Sequence, residues 1–295
     1  MKLFSRLCIA LLTLFSAPAL AKTPAPVTTK PALWRIADAD TTIWLFGTIH
    51  ALPPALQWKQ GKVADAFAGA DRLIVEVVQP TNPAEFSRIV NRMALSPGLP
   101  PLAERLPERK RPALKNLMAR AASPAAAFDG METWFAAMML MMPIIKDSGV
   151  DPQSGADNQL IVEARRRGIP VEGLETVEQQ LGFFDTLPEA QQRAFLASVV
   201  ADSANAKAEF HKLLSAWTRG DVARLAVLAD RDLKATPEMH ARLLIDRNRA
   251  WATTLKRKLE SPGTFFVAVG AAHLAGAGSV QSELARAGIR VSRIQ

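Results

Sequence analysis

Two short segments of the chain carry the same chemical arrangement: Gly47-Thr48-Ile49-His50 and Gly270-Ala271-Ala272-His273. Each places a histidine three residues after a glycine, directly behind an apolar run (Trp44-Leu45-Phe46 and Phe265 to Val269). The chain has 4 histidines, so half of them sit in this setting. Neutral imidazole ligates divalent metals or accepts a proton near pH 7. Glycine at a strand end lets the backbone turn tightly or approach a ligand closely. Ligands collect at the carboxyl ends of strands in open α/β sheets. The pattern predicts one crevice shaped by Gly47 and Gly270 and faced by His50 and His273.

Glu76 is the natural third member, because it is the only acid in the apolar run Leu73 to Val78. Two imidazoles and one carboxylate suit zinc, manganese, cobalt or iron and leave positions open for water. A buried carboxylate is costly without a partner, so Glu76 either serves the site or pairs with an arginine. Arg247 is the candidate for that pairing. It lies within the stripe Leu243, Leu244, Trp251 and Leu255 and is expected to face inward. An inward arginine neutralises a carboxylate or holds the oxyanion of a reacting carbonyl. Asn248 is a weaker accessory candidate. Glu175, at the end of Glu172-Gly173-Leu174-Glu175-Thr176, either reaches the crevice or starts a helix. His211 and His240 lie in polar helical stretches and read as surface residues.

These side chains need a sheet to bring them together. Leu33 to Ala37 and Thr42 to Gly47, with Asp38 to Asp40 between them, read as a hairpin. Gly61 to Ala68 reads as a helix and Leu73 to Val78 as a strand. From Pro83 to about Ser148 the pattern is helical, with proline breaks at Pro97 to Pro101 and at Pro124. The methionines of Trp134 to Ile145 read as adaptable core, with an apolar lid as the alternative. Asp157 to Arg167 reads as a helix and Pro170 to Leu174 as a strand, and residues 187–259 are mostly helical. Strand returns at Thr264 to Val269 and Arg290 to Ile294, around a helix from Gly278 to Ala287. Both ends thus show strand, GxxH, helix, strand, a weak internal duplication. The fold class expected is α/β, a central mixed sheet built from N- and C-terminal strands with a helical insertion or cap. One domain is expected over residues 32–295, with the insertion at about 83–148.

The N-terminus reads as a secretory signal peptide over residues 1–21. Lys2 and Arg6 precede the apolar run Leu7 to Phe15, and Ala19-Leu20-Ala21 supplies small residues at the cleavage site. Residues 22–31, rich in Pro, Thr and Lys, read as a flexible leader. Cys8 is the only cysteine and leaves with the signal, so neither disulfides nor cysteine metal sites are expected in the mature chain. Losing Lys2 and Arg6 lowers the net charge from +8 to +6, since residues 1–21 hold no acid. The basic clusters Arg109-Lys110-Arg111 and Arg165-Arg166-Arg167 lack interleaved aromatics, which argues against nucleic-acid binding. No apolar run after the signal is long enough to span a bilayer. A periplasmic location follows if the source is a Gram-negative bacterium.

The residues resemble the TraB/GumN family, which includes the Tiki metalloproteases. The matching pieces are Phe46-Gly47-Thr48-Ile49-His50 with Leu52-Pro53, Leu73-Ile74-Val75-Glu76, and Asp157 to Leu160. They continue through Gly168 to Thr176, Glu178-Gln179-Gln180, Arg219-Gly220-Asp221, Arg247-Asn248 and Val269 to Leu274. The resemblance implies a fold related to the erythromycin-esterase and ChaN-like superfamily. It implies a protease with a divalent metal, manganese or cobalt before zinc, held by His50, His273 and Glu76, with Glu76 as ligand or general base. A peptide or protein substrate follows. Two other readings stand: a metal-free esterase-like hydrolase with His50 as base, and an envelope binding protein for polysaccharide, haem or metal.

Overall fold

The computed structural model describes residues 29–121, 123–233 and 237–295. The signal peptide expected at 1–21 and most of the leader lie outside the described residues. At Thr29 the chain is already held. Its hydroxyl donates to the carbonyls of Gln57 and Trp58, and the Lys30 N–H donates to Thr218 O.

Six strands form one mixed sheet: β1 (Leu33–Ala37), β2 (Thr41–Thr48), β3 (Arg72–Val77), β4 (Val171–Glu175), β5 (Gly263–Gly270) and β6 (Ser292–Arg293). Their order across the sheet is β4-β3-β5-β2-β1-β6. The β1–β2 hairpin is antiparallel, and its turn is held by Asp38 Oδ1, which accepts from the Asp40 and Thr41 N–H groups. β5 runs parallel to both β2 and β3 and separates them. As a central strand covered on both faces, β5 reads Thr-Phe-Phe-Val-Ala-Val without polar alternation.

One sheet face packs Ile43, Leu45, Ile74, Phe265, Val267 and Val269 against Trp251 and Leu255 of the helix Asp246–Lys258 and Val280 and Leu284 of the helix Val280–Arg286. The other face carries aromatics. Phe46 stacks on Trp58 at 5.2 Å, and Phe266 meets Phe67 edge-on at 5.3 Å. Trp217 donates its indole N–H to the Gly47 carbonyl at 2.7 Å, tying a helix to the end of β2.

The internal duplication fades beyond the histidines. β3 lies beside β5, whereas β6 is two residues long and pairs antiparallel with β1 at the far edge. Trp34↔Arg293 and Arg35↔Ser292 pair there, and the Ile294 N–H adds a bond to the Leu33 carbonyl at 2.8 Å.

The chain divides into two compact units. The sheet unit comprises the described part of Ile9–Glu76, Val150–Leu174 and His211–Gln295; the other comprises Val77–Gly149 and Glu175–Phe210. The insertion thus draws on two stretches of sequence. Within this helical unit Trp134, Met138 and Met141 are buried, and Trp134 stacks on Phe184 at 6.1 Å. The Trp134 N–H donates to Gln192 Oε1. These two methionines are core. Among the described residues no helix is long and apolar enough to cross a membrane.

Candidate active site

The carboxyl ends of β2, β3 and β5 converge in the sheet unit, and their register sets the site. Thr48 pairs with Gly270, and Gly47 pairs with Val269, so the two glycine-histidine segments are offset by one residue. After β2 the chain bends to His50; after β5 it enters the short 3-10 turn Ala271–Leu274, which carries His273. Both histidines are buried, at 6% and 4% exposure, and so is Glu76 at 4%. His50 Nε2 and His273 Nε2 each lie 3.9 Å from Glu76 Oε1.

The two glycines serve this convergence differently. A Cβ on Gly270 would sit 3.1 Å from Glu76 Oε1 and 3.3 Å from His50 Nε2, so its missing side chain leaves room at the centre of the site. A Cβ on Gly47 would sit 3.0 Å from the Ala271 Cα, so Gly47 lets the two strand ends close together.

The helix Asp246–Lys258 supplies the next layer. It is preceded by a π-helical turn, Ala241–Ile245, and presents the consecutive residues Arg247 and Asn248 as buried groups. Such turns recur at functional sites. Arg247 donates from Nη2 to Glu76 Oε2 at 2.7 Å and from Nη1 to the Leu243 carbonyl at 3.1 Å. Arg247 Nη1 also lies 3.2 Å from His273 Nε2. Its guanidinium carbon stands 4.7 Å from the centre of the Trp251 ring, which packs on His273 at 4.3 Å. The Gly270 N–H donates to Glu76 Oε1 at 2.7 Å. Both oxygens of Glu76 are therefore occupied.

Hydrogen-bond chemistry assigns the imidazole protons. Arginine only donates, so His273 Nε2 accepts from Arg247, and Nδ1 donates to Asn248 Oδ1 at 2.6 Å. Asn248 Nδ2 donates in turn to the Gly278 carbonyl at 2.6 Å, which fixes the amide orientation. His50 differs. Its Nε2 is buried without a hydrogen-bond partner, and its Nδ1 lies 2.9 Å from Asp157 Oδ1. That oxygen is close yet outside good hydrogen-bond alignment.

Burial sets the charge states. Loss of water, then the Arg247 charge, lowers the His50 pKa to about 3. Burial, Arg247 and His50 together hold His273 well below the usual histidine range. Both rings are neutral at pH 7. Asp157 is pushed up to about 7, chiefly by burial and also by the Glu76 charge, while the N–H groups of residues 157 and 158 oppose the rise.

The sequence-derived candidates His50, Glu76, Arg247, Asn248, Gly270 and His273 all meet here, with Gly47 in the supporting turn. Glu175 ends β4, partly buried, on the strand next to the one that carries Glu76. His211 is exposed and His240 half-buried. Asp157 and Trp217 belong to the surroundings of the site and went unassigned in the sequence. An acid in the first turn of a helix reads as a partner of the helix dipole, which conceals a second use.

The family model for TraB/PrgY/gumN matches residues 32–293, spanning every strand and every site residue. The chain belongs to the TraB/PrgY/gumN family. It is 24% identical over 256 residues to the uncharacterized protein YbaP of Escherichia coli (strain K12), covering 87% of this chain and 92% of that one. Identity to YbaP of Shigella flexneri is 25% over 240 residues, covering 81% and 86%. An uncharacterized protein of Treponema pallidum (strain Nichols) is 23% identical over 261 residues, covering 84% and 78%. No solved structure matches.

The donor types at this site, two imidazoles and one carboxylate, are ones that divalent metals take. Two neutral imidazoles present Nε2 toward one carboxylate oxygen, and one of them, on His50, is a buried acceptor without a partner. Among the described residues no three such side chains already stand at ligand positions around one point. Arg247 is the reason on the His273 side, since it takes the Nε2 lone pair that a metal would need.

Proposed function

We propose that the chain is an exported, periplasmic hydrolase that uses a divalent metal, manganese or cobalt before zinc, to cleave peptide bonds. The observation that carries this reading is the symmetric placement of His50 Nε2 and His273 Nε2, each 3.9 Å from Glu76 Oε1. His50, His273 and Glu76 would hold the ion. When bound, it supplies a Lewis acid and a water acidified toward neutral pH. The protein groups do the rest. Glu76 moves the proton between water and leaving group, and Arg247 meets the charge that develops on the carbonyl oxygen. Gly270, lacking a side chain, keeps the space between Glu76 and His50 unfilled. Trp251 shields one side of His273 from water.

A second reading is favoured by the Arg247–His273 contact: a metal-free, esterase-like hydrolase. There Arg247 stays on Glu76 and His273, and His50 Nε2 alone takes the proton from the attacking water.

The test is to strip the protein with a chelator and follow its melting temperature while manganese, cobalt or zinc is added. A metal that binds only the folded chain raises the melting temperature with concentration. The metal-dependent reading expects a rise that His50→Ala and His273→Ala both abolish, together with peptidase activity in wild type. No rise with any metal, and ester hydrolysis that survives the chelator, would establish the second reading instead. Retention of a metal or haem without turnover of either substrate class would leave a binding protein.

A further inference from the structure

The geometry points to Asp157 as the positioning residue of His50: it holds the proton on Nδ1 and thereby presents the Nε2 lone pair to the crevice. This inference deepens the hydrolytic reading and rests on it for the use made of Nε2.

Three observations converge on one short segment, the start of the helix Ala156–Arg166. First, the backbone there is bolted to the histidine segment. The Ala156 N–H donates to the Ile49 carbonyl at 2.9 Å. At Gly155 an added Cβ would fall 2.3 Å from the His50 carbonyl oxygen and 2.7 Å from its carbon. No side chain fits that gap, so glycine is what lets the helix start lie against His50. Second, Asp157 stands in the first turn of that helix, whose N-terminal end favours a negative charge. Third, Asp157 Oδ1 lies 2.9 Å from His50 Nδ1, and the two side chains are 13% and 7% exposed.

A neutral imidazole has one proton, and an anionic carboxylate accepts without donating. With Asp157 on Nδ1, the proton belongs there, and Nε2 becomes the acceptor. Nε2 is the atom with no partner, 3.9 Å from Glu76 and facing the space beside Gly270. Oδ1 approaches off the hydrogen-bond line, so at 2.9 Å it acts on the Nδ1 proton by charge rather than by a formed hydrogen bond. Histidines that ligate or accept protons at active sites are oriented in this way by a partner on the opposite nitrogen.

The test reads the proton directly. The metal-free full chain is labelled with nitrogen-15 at histidine, and long-range proton–nitrogen spectra are recorded at mildly alkaline pH. His50 is assigned by its loss in His50→Gln. Wild type is expected to show a protonated Nδ1 and a pyridine-like Nε2 at His50. Asp157→Val is expected to shift His50 toward the Nε2–H form while the His273 signals stay in place. Asp157→Ala, which cannot clash, serves should the valine variant not fold. Metal affinity, where a metal binds, should fall roughly 10–100-fold in either variant. A wild-type His50 with its proton on Nε2, or an unchanged tautomer in both variants, overturns the inference. The readout does not involve turnover. A protonated Nδ1 in a chain that cleaves nothing removes the hydrolytic reading alone, and a protonated Nε2 in an active hydrolase removes this inference alone.

Discussion

At the end of β2, His50 is backed by an acid and its Nε2 has no hydrogen-bond partner. At the end of β5, His273 is backed by an amide, and its Nε2 is taken by Arg247. Two segments with the same spacing of glycine and histidine thus occupy unlike surroundings. The second belongs to a closed network: Gly278 carbonyl, Asn248, His273, Arg247, Glu76 and the Gly270 N–H, each bonded to the next. The first holds a buried nitrogen without a hydrogen-bond partner, which costs stability. The difference teaches that the same local spacing can end in a bonded network at β5 and in an acceptor without a hydrogen-bond partner at β2.

The largest expected effect breaks the closed side. Arg247→Met leaves Glu76 buried and its ion pair gone, and should cost about 3–5 kcal/mol in denaturant unfolding. The double variant Arg247→Met/Glu76→Gln should recover much of that loss, because both charges are then absent. Equal instability in the single and double variants would mean that packing of Arg247 on Trp251, not the ion pair, dominates.

The next effect sets the two histidines against each other. His273→Leu strands Asn248 Oδ1, leaves Arg247 Nη1 with the Leu243 carbonyl alone, and should cost about 1–3 kcal/mol for the buried acceptor left unpaired. His50→Leu removes an imidazole whose Nε2 has no partner, and should change stability by less than about 1 kcal/mol while abolishing turnover. Matching losses from the two variants would erase the proposed asymmetry.

A smaller effect separates the glycines. Gly47→Ala pushes a methyl group onto Ala271 backbone and should cost about 1–3 kcal/mol. Gly270→Ala meets only side-chain atoms of Glu76, His50 and His273, so the melting temperature should fall less and metal affinity or turnover more. Calorimetry and kinetics on the same preparations read both.

The effect that needs no substitution is the pH dependence of the metal-free chain. Unfolded histidine binds a proton below about 6.5, whereas His50 resists it down to about 3, and His273 is lowered likewise. In that window the unfolded state holds more protons, so stability falls as pH falls. Asp157 acts in the opposite sense between 3.8 and about 7, where only the folded state keeps its proton. Around pH 5, two imidazoles against one carboxyl leave a net slope of about 1.4 kcal/mol per pH unit, with stability rising with pH. His50→Leu should flatten that slope near pH 5. An unchanged slope would assign the acid sensitivity elsewhere.

Much of this arrangement was legible in the sequence for local reasons. The apolar runs before Gly47 and Gly270 are strands because branched and aromatic residues fill a sheet covered on both faces. Glu76 stood out as the one acid in such a run, and Arg247 as the one cation within an apolar helical stripe. Their pairing at 2.7 Å follows from the cost of burying either alone. Asp157 opened one of the segments that carried the family resemblance, but its contact with His50 was not legible, because it depends on Gly155 packing against a backbone more than a hundred residues away.

Residue types and spacing by themselves thus determined which groups are chemically able to act: two imidazoles, one carboxylate, one guanidinium and the glycines that make room. The tertiary structure alone decided what faces each histidine nitrogen: Arg247 takes Nε2 of His273, whereas Nε2 of His50 has no hydrogen-bond partner. It also decided that β5 enters between β2 and β3 and pairs Gly270 with Thr48, setting both histidines at the same distance from Glu76. That insertion joins segments from opposite ends of the chain, and the contacts that fix it are long-range packing, which no local pattern encodes.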